Sequence, residues 1–201
     1  MKKFIIVKTF LVLCLFVNQV FANYDMAINF FNKKQFKESI EEFRKVIENK
    51  NSKKKKSDAL FNLGVMYDNG YGVKINKDKA FNYYMSAAEM KHKIAQYNLA
   101  WMYYNGDAIE KNFFEAFKFY RLSAEQGYNK AQYNLANLFY YGDGTMKDYI
   151  KAFKWFKISS MNGIQESKEF LKKLETVMHL DEVKKSEITV TEWLKKQGAK
   201  K

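Results

Sequence analysis

The sequence predicts an all-α protein, a solenoid of stacked helix–turn–helix repeats. Three observations predict it. Residue types recur at an ungapped step of 36, proline is absent from all 201 residues, and each recurring unit carries helix-capping residues at matching places.

The recurrence is legible at six registers. Ala59, Ala95 and Ala131 share one, continued by Ser167, and Leu63, Leu99, Leu135 and Leu171 share a second. Tyr67, Tyr103 and Phe139 keep the step, as do Gly70, Gly106 and Gly142. Ala80, Ala116 and Ala152 repeat it, and so do Tyr84, Tyr120 and Phe156. Such self-similarity marks an array of small supersecondary units, none of which can bury its apolar face alone.

Each unit reads as two helices. Ala59, Leu63 and Tyr67 lie four residues apart and form one apolar stripe. Gly70 follows, suited to the left-handed position that ends a helix. The second helix begins after Asn76, Asn112 or Asp148, whose side-chain oxygens accept orphan N–H groups of a first turn. Glu115, three residues after Asn112, suggests a reciprocal capping box. Small residues at Gly64, Ala100 and Ala136, and again at Ala80, Ala116 and Ala152, let paired helices approach closely.

The stretches AQYNLAWMYYNG (95–106) and EAFKFYRLSAEQG (115–127), with their counterparts at 59–73, 79–91, 131–144 and 151–163, resemble the Sel-1-like repeat family, relatives of the tetratricopeptide repeats. The resemblance covers about residues 57 to 178 and implies a right-handed α-solenoid. Its units are 57–92, 93–128 and 129–164. Two departures stand out: Ala108 replaces the second loop glycine, and Lys91 replaces the terminal glycine of the first unit.

Residues 1–22 read as a signal peptide. Lys2 and Lys3 supply the positive start, Phe10 to Val17 is unbroken apolar sequence, and Val20-Phe21-Ala22 suits cleavage after Ala22. A retained anchor is disfavoured because Lys8, Asn18 and Gln19 interrupt a segment that needs roughly 20 apolar residues. The expected location is therefore periplasmic or secreted. Residues 23–56 comprise a degenerate hairpin similar to a tetratricopeptide unit and a basic loop. Phe36, Ile40, Phe43 and Ile47 fall at helical spacing, and NKNSKKKKS (49–57), with Lys53 to Lys56, reads as an exposed inter-repeat loop. Residues 165–201 add a partial repeat, with a helix from Gln165 to Met178, and a capping helix from Asp181 to Lys196. Val183, Val190 and Leu194 are placed to cover the open end, assisted by Trp193.

Composition narrows the chemistry. Hydrophobic residues make up 47% of the chain, enough for a packed core. The net charge of +13 comes from scattered lysines and reads as a solvated surface rather than a face for nucleic acid, anionic lipid or an acidic partner. The single cysteine, Cys14, lies in the leader, so no disulfide, thiolate metal site or cysteine nucleophile is expected in the mature chain. His92 and His179 fall between helices without ligand spacing and read as surface or loop residues. The paired glycines at 70/72 and 142/144 follow helices and read as turns, not phosphate loops. No catalytic residue, cofactor or metal is predicted.

The resemblance implies a groove lined by the first helix of each unit. Its inward positions are Phe61, Asn62 and Val65; Tyr97, Asn98, Trp101, Tyr104 and Asn105; and Tyr133, Asn134, Asn137, Tyr140 and Tyr141. The predicted peptide-binding residues are Asn62, Tyr97, Asn98, Trp101, Tyr104, Tyr133, Asn134, Asn137 and Tyr140. The column Asn62, Asn98, Asn134 either pairs with a bound peptide backbone or bonds locally within the fold. The aromatics either supply contact area or pack between repeats. The expected function is an exported scaffold, monomeric, holding an unknown protein or peptide. Two alternatives stay open: a β-lactamase-like or penicillin-binding enzyme, as in cysteine-rich exported relatives that depend on a disulfide in each repeat, and a secreted factor acting on a host-cell protein.

Overall fold

The structure is a computed structural model and describes residues 23–49 and 53–198. The expected signal peptide, its expected cleavage after Ala22, and Cys14 lie outside the described residues. Among those described there are ten helices and no strand. The leading hairpin is α1 (Tyr24–Asn32) and α2 (Phe36–Glu48). The repeats follow as α3 (Lys53–Asn69) with α4 (Lys77–Glu89), α5 (Lys93–Asn105) with α6 (Phe113–Glu125), and α7 (Asn129–Tyr141) with α8 (Tyr149–Met161). The tail is α9 (Glu166–Val177) and α10 (Leu180–Gly198).

From α1 to α9 every helix packs on its sequence neighbour, so the hairpins stack in order. The recurring small residues make this possible: Ala59, Ala80, Ala95, Ala116, Ala131 and Ala152 are wholly buried. Around them two apolar clusters form. Ala27, Ile40, Phe43 and Val46 meet Ala59, Leu63 and Met66 at the N-terminal end, while Leu60 and Tyr67 turn to the main core. Ile47, Val73 and Tyr83 pack against both clusters and join them.

The caps form as the residue types dictate. Asn76, Asn112 and Asp148 accept from the backbone N–H of Lys79, Glu115 and Lys151 at 2.8, 3.1 and 2.9 Å. The return half of the capping box is absent. The Asn112 N–H donates to the Tyr103 carbonyl instead, and the Glu115 carboxylate pairs with Lys118 at 2.9 Å.

Three expectations need correction. Lys53 to Lys56 do not form a loop; they are the first turn of α3, and Ser57 is buried. Lysine is a fair helix former, so an exposed basic run can extend a helix as readily as end it. His92 lies in the turn before α5, as its position between helices implied, and its side chain is 13% exposed. Leu194 points outward, and Val190 and Trp193 make the contact, with the Trp193 ring 5.7 Å from Trp155 of α8. Accordingly α10 lies against α8 rather than continuing the stack beyond α9. No helix among the described residues is long and apolar enough to cross a membrane.

Candidate binding groove

The sequence leaves the side chains of α5 and α7 to be sorted by their neighbours. Tyr97 is drawn inward, its ring 5.7 Å from Tyr120 and 5.1 Å from Tyr128. Tyr133 packs on Phe156 at 5.9 Å, and Tyr140 sits 5.4 Å from Phe170 and 5.6 Å from Tyr149. Most of these contacts join the two helices of one hairpin, and Tyr140 with Phe170 reaches the next. Burial pushes the Tyr97 phenol above its ordinary pKa, with the Asn134 amide opposing.

The asparagine column meets phenols. Asn62 Nδ2 donates to the Tyr24 hydroxyl at 3.0 Å and to the Asp58 carbonyl at 2.8 Å. Burial raises the Tyr84 and Tyr120 pKa values. The Tyr84 shift is opposed by hydrogen bonding from Asn98, the Tyr120 shift by hydrogen bonding from Asn134. A low-dielectric interior makes such amide–phenol contacts strong and an unpaired amide costly. The three amides therefore have phenol partners across the joints between hairpins.

An open groove of about 230 Å³ remains between α5 and α7. Of the nine expected residues, Trp101, Tyr104, Asn134 and Asn137 line it, whereas Asn62, Tyr97, Asn98, Tyr133 and Tyr140 do not. Asn105 and Tyr141, both inward by register, line it as well. So do Tyr120 and Leu138, which the register did not single out; Tyr120 belongs to a second helix and reaches in from α6.

Trp101 is 44% exposed and Tyr141 56% exposed, high values for large rings on a packed face. Tyr104 is steadied by its hydroxyl donating to Asp143 at 3.3 Å and by Phe113 at 5.1 Å. Burial, then the Asp143 carboxylate, raises its pKa, so it stays a neutral donor. Asn105 and Asn137 donate Nδ2 to the carbonyls four residues back, Trp101 at 2.8 Å and Tyr133 at 3.1 Å. Their Oδ1 atoms are thereby oriented and remain acceptors. Among the described residues no group of three or more His, Cys, Asp or Glu is placed to hold a metal ion.

A recurring polar link escaped the sequence reading. Gln96 and Gln132, 2% and 0% exposed, donate Nε2 to the Ala88 and Ala124 carbonyls at 3.1 and 3.3 Å. Each accepts in turn from the next inter-repeat turn, Gln126 at 2.7 Å and Asn162 at 2.9 Å. The signal was present, a glutamine kept at the same step beside a buried alanine.

Fold and groove together define an α-solenoid with an open groove between the first helices of two repeats. The family model described as Sel1 repeat matches residues 57–92, 93–128 and 129–164, and the chain belongs to that family. Members generally mediate protein–protein interaction and are generally non-enzymatic. Among solved structures, the Sel1 repeat protein of Oxalobacter formigenes is 30% identical with a TM-score of 0.68, over 74% of this chain and 59% of its own. The c5321 protein, a protective antigen of uropathogenic Escherichia coli strains with an SLR fold, is 24% identical with a TM-score of 0.51, over 78% of this chain and 40% of its own. The chain thus spans less than two thirds of either structure. No curated protein matches it.

Proposed function

We propose that the chain is an exported scaffold that holds an extended segment of a partner protein against α5 and α7. The observation that carries this reading is the pair Trp101 and Tyr141, large rings left exposed beside the oriented amides of Asn105 and Asn137. Rigid aromatics give contact area at low entropic cost, and amide oxygens accept from a peptide backbone whatever its side chains. The family's general role in protein–protein interaction supports the class of partner. Export is supported by the basic, apolar and small-residue order of residues 1–22.

Photocrosslinking tests it. Benzoylphenylalanine at Trp101 and at Tyr141 is expected to trap one and the same partner, while the same probe at Ile188, exposed on α10, traps none. Equal capture from all three positions sinks the groove reading. Mature protein beginning at Asn23 in the periplasm or medium supports export, and an uncleaved chain confined to the cytosol overturns it. Recovery from the medium rather than the periplasm favours the host-directed alternative.

A further inference from the structure

The extra helical turn Lys53–Lys56 has a structural consequence. By the 36-residue step α3 should begin at residue 57, as α5 and α7 begin at Lys93 and Asn129; it begins four residues earlier. The added turn stands opposite the turn between α4 and α5. Between them lies a cavity of about 850 Å³, within the usual range of ligand sites.

Lys54, Lys56, Lys91 and Lys93 line this cavity, and none forms an ion pair among the described residues. Its two carboxylates are Glu89 and Asp58, the latter 3.4 Å from His92 Nε2, so four ammonium groups face two carboxylates and the wall is positive in balance. Like charges gathered without partners repel one another and favour an anionic ligand.

Lys91 adds an independent observation. Its φ is +65°, a left-handed conformation, whereas the other two turns place Gly127 and Gly163 there with φ of +82° and +96°. A side chain in that region is strained relative to glycine. Strain of this kind collects at functional positions, and here it keeps a fourth lysine on the cavity wall.

We propose that this cavity binds an acidic, glutamate- or aspartate-rich peptide segment, at a site separate from the groove. Lysines act as compact point charges that attract carboxylates without requiring the fixed bidentate geometry of a guanidinium. Met90 and Ile94 add apolar wall between the charges, as a peptide's side chains require. A single-stranded nucleic acid wants open ring faces, but the one ring on the wall, His92, is already stacked on Phe61 at 4.6 Å. A lipid surface wants a protruding face, and this one is concave. Helix α5 carries both sites, with Lys93 and Trp101 about 12 Å apart along its axis.

The test uses the full-length protein and a fluorescein-labelled peptide of alternating glutamate and alanine, read by anisotropy. Saturable, salt-sensitive binding is expected, with none to the glutamine counterpart. The combined variant K54Q/K56Q/K91Q/K93Q is expected to weaken it by roughly tenfold or more, with the helical circular dichroism unchanged. Trp101→Ala should leave it unaltered, which separates this site from the groove. Lys91→Gly is expected to raise the unfolding midpoint and lower peptide affinity together; a rise in stability with unchanged affinity overturns the assignment. So does equal binding by the fourfold variant, absence of binding, or tighter binding of an oligothymidylate or of phosphatidylcholine–phosphatidylserine vesicles that the fourfold variant abolishes.

Discussion

In the first repeat, Asp68 of α3 meets Lys77 of α4 at 2.6 Å, and Lys77 also reaches Asp107 of the next loop at 3.1 Å. In the second and third repeats the same positions are aromatic. Tyr104 faces Phe113 at 5.1 Å, and Tyr140 faces Tyr149 at 5.6 Å. One geometry is thus closed by charge at one end of the molecule and by rings at the other. The difference propagates. The Tyr84 hydroxyl donates to Asp68 at 3.2 Å, drawing its ring across α3, and the α3 residue beneath it is Gly64. The second and third repeats, with no carboxylate there, carry Ala100 and Ala136 at the position of Gly64, and Tyr120 and Phe156 at that of Tyr84. Repeats of equal length therefore differ in packing: the first pairs a carboxylate at 68 with a glycine at 64, and Tyr84 touches both.

The sharpest way to break this comparison is at the second loop glycine. Gly144 has φ +67° and lies so close to the preceding unit that a Cβ would run into the carbonyl oxygen of Phe113. Gly144→Ala is expected to cost about 2–4 kcal/mol, from left-handed strain plus overpacking against backbone. Urea unfolding followed by circular dichroism measures it, and a loss below about 1 kcal/mol would show that the loop moves aside.

Gly64 comes next. An added Cβ would sit 2.6 Å from Cδ1 and Cε1 of Tyr84, a side chain only 1% exposed. Gly64→Ala is expected to cost about 1–3 kcal/mol. If the Asp68 hydrogen bond is what holds the ring there, Tyr84→Phe frees it and lessens the cost of the alanine. A double-mutant cycle reads that coupling directly, and strict additivity refutes that link.

The fold was legible because recurrence at one step constrains many positions at once, and the caps at Asn76, Asn112 and Asp148 are local chemistry that needs no neighbour. The groove was legible only where register decides orientation. Trp101, Tyr104, Asn134 and Asn137 line it as their positions imply. Tyr97, Tyr133 and Tyr140 share that register but turn toward Tyr120, Phe156 and Phe170, rings of adjoining helices that a single helix face cannot reveal. The glutamine links were missed for a related reason: a polar residue in an apolar stripe declares its role only when its carbonyl partner, eight residues back, is in place. The turn Lys53–Lys56 was misread because charge and exposure do not distinguish a helix end from a loop.

The starts of α5 and α7 differ in a way that pH can expose. His92 caps α5, its Nδ1 accepting from the Ala95 N–H at 3.1 Å, while Tyr128 before α7 offers no side-chain cap. Burial holds the imidazole below its ordinary pKa of 6.5, with Asp58 of α3 pulling upward and Lys93 pushing downward. The neutral ring is therefore the form the fold favours. Its contribution is complete above about pH 6.5 and is lost as pH falls through the lower folded value. Protonation puts a hydrogen on Nδ1 and removes the cap, worth about 1 kcal/mol. Unfolding midpoints at about pH 7.5 and about pH 5.5 should differ in the wild type, and His92→Asn, which keeps a capping oxygen, should narrow the gap. An unchanged gap assigns the acid sensitivity elsewhere.

The smallest expected effect is the reverse exchange at the loop position of Gly144. Ala108 occupies that position in the second repeat with φ +69°, the glycine-like angle carried by a residue with a side chain. Ala108→Gly should relieve about 1 kcal/mol of left-handed strain, and glycine's greater freedom in the unfolded chain returns part of that. The net is a gain of under about 1 kcal/mol, seen as a modest rise in the unfolding midpoint. If backbone angle alone governed this position, Gly144→Ala and Ala108→Gly would be equal and opposite. The amount by which the loss at Gly144 exceeds the gain at Ala108 then measures the close approach of the third repeat's loop to Phe113, separated from the cost of the turn itself.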